Sequence, residues 1–73
     1  MNYTAHALQR MQQRGITVAN INWAMQVGYT IQPNGNRRYV RPFGGGNRMF
    51  VITNGAGTTV ISTWIRGPAD VGI

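Results

Sequence analysis

Seventy-three residues make one small domain, and this one carries seven arginines, no lysine, one acid (Asp70) and one histidine (His6), for a formal net charge of +6. The chain has no cysteine, which excludes disulfides and thiolate metal sites. One carboxylate and one imidazole cannot build a two-metal nuclease centre or a His-rich zinc site, and no apolar run is long enough for a membrane span.

Thr4 is placed to cap a first helix running to about Arg14, with Gly15 as its stop. Helical periodicity puts Ala7, Leu8 and Met11 on one face and His6, Arg10 and Arg14 on an adjoining stripe. Thr17 caps a second helix, Val18 to about Val27, ending at Gly28. Its apolar face is Val18, Ile21, Ala24 and Met25.

From Tyr29 the period changes to that of strands. Tyr29 to Gln32 reads as a short strand, Pro33-Asn34-Gly35-Asn36 as a tight turn, and Arg37 to Arg41 as the return strand. Pro42 is expected to stop its pairing, and 43–47 (FGGGN) to be a flexible connection. Arg48 to Thr53 is a third strand, Asn54 to Gly57 a turn, and Thr58 to Ile65 a fourth strand. The fold class is therefore α+β, two N-terminal helices on one face of a four-stranded antiparallel sheet, in one domain spanning 1–73 with an ordered core over 3–67 and a tail over 68–73. No secretory leader is read at the N-terminus.

An all-arginine excess with almost no acid points to a nucleic acid, an acidic membrane surface or an acidic protein partner. Arginine's planar fork matches phosphate oxygens and stacks on bases. Metal-free RNA cleavage needs a proton carrier beside positive charge on the phosphate. Histidine ordinarily titrates near neutrality, and His6 with Arg10 one turn away supplies both requirements. The same residues also fit a solvated helix face. In the hairpin, Arg37, Arg38, Tyr39, Arg41 and Arg48 interleave cations with aromatics, a pattern suited to phosphate binding and base stacking. In the last strand, alternation turns Ser62 and Trp64 to one side and Thr63 to the other. A hydroxyl there can hold a phosphate, and the same run also suits plain strand packing.

The segment from His6 to Ile16, with His, then Arg-Met four residues on, then Arg-Gly-Ile, resembles a bacterial signature. It is that of a family of small toxin-type domains similar to the barnase, EndoU, colicin and RelE ribonuclease superfamily, found alone or at the ends of polymorphic and contact-dependent growth inhibition toxins. The resemblance covers about residues 4–65 and shares the order of two helices then four strands. It implies His6 as general acid/base, Arg10 as a phosphate or electrostatic group, Arg14 as functional or helix-supporting, and a last-strand hydroxyl. That hydroxyl is Ser62 if the following aromatic is aligned and Thr63 if residue type is, with Thr63 slightly favoured. Arg37, Arg38, Tyr39, Arg41, Arg48 and Trp64 are then the RNA- and phosphate-binding set. The implied reaction is transesterification by the 2′-hydroxyl of RNA, tRNA among the candidates, to a 2′,3′-cyclic phosphate, with no cofactor or metal. The implied partner is an acidic immunity or antitoxin protein. The implied location is the cytoplasm of the producing cell, or of a target cell for a delivered effector domain. A non-catalytic RNA- or DNA-binding module and a protein-interaction domain are the alternatives.

Overall fold

A computed structural model describes residues 1–68. Its elements in chain order are β1 (Asn2–Tyr3), α1 (Ala5–Arg14), α2 (Val18–Ala24), β2 (Tyr29–Ile31), β3 (Arg37–Phe43), β4 (Asn47–Thr53) and β5 (Thr59–Arg66). The α+β class and the helix-then-sheet order match the sequence expectation. The sheet has five strands in the order β1-β5-β4-β3-β2, and β1 runs parallel to β5, so it is mixed where a four-stranded antiparallel sheet was expected. Beyond Pro68, the expected tail lies outside the described residues.

Both helices start where the sequence places them, because each cap is chemically explicit. Thr17 Oγ1 accepts from Asn20 N at 3.1 Å while Asn20 Oδ1 accepts from Thr17 N at 2.9 Å, a reciprocal capping box. Thr4 has two tasks. Its Oγ1 accepts from Ala7 N at 3.1 Å and donates to the Ile61 carbonyl at 2.8 Å. Together with the β1–β5 pairing, this pins α1 along the free edge of β5. Gly15, at φ 66°, closes α1 in the left-handed conformation that glycine adopts without strain. We expect Thr4→Ala to cost about 1–2 kcal/mol and the melting temperature to fall by about 4–8 °C for each kcal/mol lost. Thr4→Ser should restore most of it, and an unchanged melt in Thr4→Ala would remove this anchor from the account.

Two expected boundaries moved by more than one residue. The second helix ends at Ala24 instead of near Val27, and Gln26 N already bonds the Trp23 carbonyl in a tighter i to i−3 pattern. Pro42 does not end its strand; it pairs with Arg48, and β3 runs on to Phe43. Past Tyr39, β3 has no β2 neighbour, so it is an edge there and tolerates a residue without an N–H. The glycines that follow make an ordered turn between β3 and β4, held by Asn47 Nδ2 donating to the Gly44 carbonyl at 2.8 Å.

The core lies between the helices and one sheet face. Ala7, Met11, Ile16, Ile21 and Ala24 pack on Tyr39, Met49, Val51 and Val60. Leu8 and Val18, expected on the apolar faces, are mostly exposed. A register shift in the β4–β5 ladder pairs Ile52 with Ser62 and Thr53 with Val60, so Ile61 is skipped. This bulge turns Val60 to the core while leaving Ser62, Trp64 and Arg66 on the opposite face. No described helix is long and apolar enough to cross a membrane.

Candidate functional site

The sheet face away from the helices carries three arginines, Arg38, Arg48 and Arg66. Alternation and register place Arg38 on β3, Arg48, Phe50 and Ile52 on β4, and Ser62, Trp64 and Arg66 on β5 together on this open face. Phe50 and Ile52 are buried yet stand outside the helix-side cluster. Phe50 is covered instead by Trp64, stacked parallel at 5.1 Å, and by arginines. The guanidiniums of Arg38, Arg48 and Arg66 lie 5.2, 5.7 and 5.6 Å from its ring centre.

Beside this face, α1 overhangs the β5 edge. Arg10 and Arg14 follow the buried positions Ala7 and Met11 around the helix and lean toward β5. Between helix and strand lies an open groove of about 430 Å³, lined by Arg10, Arg14, Ser62, Trp64, Ile65 and Arg66. Three guanidiniums, a hydroxyl and an indole thus converge, with no carboxylate among the described residues. A phosphate suits this wall through charge-assisted hydrogen bonds.

The structure sorts the expected residues into three groups. Arg10, Arg14, Ser62 and Trp64 come together in the groove. Arg38 and Arg48 continue its charge across the open face. The others lie elsewhere. His6 is exposed on α1, one turn before Arg10 and two residues after the Thr4 anchor, and is not part of the groove wall.

Thr63 and Tyr39 are corrections. The Thr63 side chain is fully buried and donates to the Phe50 carbonyl at 2.8 Å, so its hydroxyl cannot meet a ligand. Ser62, half-buried and facing the groove, is the last-strand hydroxyl that can. The Tyr39 ring is core, 5.4 Å from Tyr29, and offers no face for a base.

Arg37 and Arg41 face the helix side and are already engaged. Arg41 donates to the Trp23 carbonyl at 2.8 Å and to Gln26 Oε1 at 3.2 Å, and lies over the Trp23 ring at 4.0 Å. Arg37 lies over the Tyr29 ring at 4.3 Å, and the Tyr39 hydroxyl, which accepts from it, raises its pKa, keeping it cationic. The hairpin's charge is therefore split between faces, as strand alternation requires.

Arg66 is the residue that sequence reasoning missed. Its signal was present: it lies two residues past Trp64 and four past Ser62, on the same face by alternation. A second, apolar groove of about 500 Å³ on the helix side is lined by Trp23, Phe43, Met49 and Ile65, with Ala19 and Asn20. Among the described residues, no group of three or more His, Cys, Asp or Glu comes together.

The Ser62–Thr63 distinction gives a testable contrast. Ser62→Ala should leave stability within about 0.5 kcal/mol and weaken whatever the groove does to a phosphate by about 10–100-fold. Thr63→Val should destabilise by about 1–3 kcal/mol through the Phe50 carbonyl it leaves unpaired, with activity following only the folded fraction. Thermal melts and activity assays of both variants check this, and the reverse pattern would return the role to Thr63.

A family model described as a domain of unknown function (DUF4258) matches residues 3–63. No curated protein and no solved structure matches the chain.

Proposed function

The chain belongs to the DUF4258 family, and for this member we propose metal-independent cleavage of RNA at the groove between α1 and β5. The observation that carries the reading is the convergence of Arg10, Arg14, Ser62 and Arg66 on one open groove, beside the helix that also presents His6. The His6-to-Ile16 signature, with its resemblance to the barnase, EndoU, colicin and RelE superfamily, supports it as well.

In this reading the scissile phosphate sits against Arg10, Arg14 and Arg66, and Ser62 donates to a non-bridging oxygen. The guanidiniums stabilise the charge that builds as the phosphorus becomes five-coordinate. The O2′–P bond forms and the P–O5′ bond breaks. His6 takes the 2′-hydroxyl proton, and the 5′-oxygen leaves as a hydroxyl on gaining a proton from solvent. The products are a 2′,3′-cyclic phosphate and a 5′-hydroxyl. One Asp and one His are too few ligands for a two-metal centre, so the arginines carry the electrostatic work.

The same basic surface suits an acidic immunity or antitoxin protein, drawn in by charge steering. The proposed setting is the cytoplasm of the producing cell or, for a delivered effector, of its target. A second reading, a non-catalytic RNA-binding module, is favoured by one observation: His6 does not line the groove.

A DNA oligonucleotide with one ribonucleotide tests the chemistry. Cleavage is expected once, 3′ to the ribonucleotide, and not in the all-DNA strand, because the nucleophile is the 2′-hydroxyl. Cleavage of all-DNA would overturn the mechanism.

A further inference from the structure

The groove's wall does not end at the groove. Trp64 and Arg66 belong both to it and to the stack on the open face. From there the cationic surface continues to Arg48 and Arg38, which share the Phe50 ring. The path crosses β5, β4 and β3, about 10 Å at ordinary strand spacing, with α1 and its two arginines beyond.

Three features of this path point to an extended polyanion carrying flat groups. First, the guanidiniums of Arg38, Arg48 and Arg66 crowd one aromatic ring with no carboxylate among the described residues. Like charges held this close repel, and a bound anion relieves the repulsion. Second, one face of the half-buried Trp64 ring is backed by Phe50, at 5.1 Å and an interplanar angle of 5°. That fixes the indole as a rigid platform, which lowers the entropy cost of stacking a further ring on it. Third, the Trp64 and Arg66 side chains are half-buried and line the groove, so both present surface to a bound chain.

We propose that the open sheet face binds single-stranded RNA in an extended path, one unpaired base stacked on Trp64 and flanking phosphates held by Arg66 and Arg48 on one side and by Arg38 on the other. The inference rests on the reading that the groove takes RNA, and it makes an unpaired segment the substrate. In a duplex the bases are already stacked and paired, and none can turn down onto a ring at the floor of a groove. A splayed single strand presents bases and phosphates together, the geometry of a stacking platform inside a positive channel.

The test uses a 2′-O-methyl RNA 12-mer, which has no free 2′-hydroxyl, so binding is read without cleavage. Fluorescence anisotropy compares the single strand with its duplex. In parallel, tryptophan emission is followed in a Trp23→Phe background, where Trp64 is the remaining tryptophan. We expect the single strand to bind at least tenfold tighter than the duplex and to quench Trp64. Arg38→Ala/Arg48→Ala should weaken single-strand binding about tenfold or more at low salt and flatten its salt dependence.

Equal or tighter duplex binding, or single-strand binding without quenching, would overturn the inference while leaving ribonuclease activity possible. Single-strand preference with quenching, but no cleavage of the unmodified 12-mer, would uphold the inference and overturn the ribonuclease. Binding of polyglutamate in place of either RNA would overturn it in favour of an acidic protein partner.

Discussion

His6→Ala is expected to lower RNA cleavage by about 10²–10⁴-fold, the usual contribution of a positioned acid–base group, while RNA affinity changes less than about twofold. The split follows from where the side chain sits. His6 is on α1 one turn before Arg10, exposed and outside the groove wall, so it adds little to holding phosphate. Arg10→Ala should do the opposite in part, weakening binding and cleavage together, because its guanidinium faces the groove before and during the reaction. Single-turnover rates and anisotropy on the same RNA separate the two effects. Equal cleavage by His6→Ala and the wild type would move the proton transfer elsewhere and leave His6 a surface residue.

The largest effect on stability is expected from Ile21→Ala. Ile21 is fully buried where α2 meets the helix-side core, and truncating such a side chain costs about 2–5 kcal/mol. A domain of this length holds only about 4–11 kcal/mol in total, and this one has no disulfide to limit the unfolded chain. The variant should therefore lose much of its denaturation midpoint, or be substantially unfolded at 37 °C. Urea titration followed by circular dichroism reads this directly. A midpoint within error of the wild type would mean that α2 contributes little to the core.

The helix starts were legible because a cap is local chemistry: Thr4 and Thr17 act on backbone a turn away. The hairpin turns were legible for the same reason, as at Gly35, whose φ of 87° suits glycine. β1 was not legible, because two residues carry no periodicity and its partner lies 57 positions away in the chain. The site was legible in part. The sequence put Ser62 and Thr63 on opposite faces, but which face the helices cover is a tertiary fact, and it alone chooses between the hydroxyls. The hairpin arginines failed as a group for that reason: Arg37 and Arg41 turn toward the helix side, while Arg38 and Arg48 do not. A residue-type pattern locates a basic segment, and strand alternation together with the side that the helices cover decides which of its charges stay on the open face.

The proposed activity is cleavage of RNA at the α1–β5 groove without a metal ion. The most direct measurement is incubation of the purified chain with total bacterial RNA in excess EDTA, followed by end-group analysis. Discrete fragments ending in 2′,3′-cyclic phosphate and 5′-hydroxyl are expected. RNA left intact, yet retained by the protein in a salt-sensitive way, would contradict it and make the groove a binding surface.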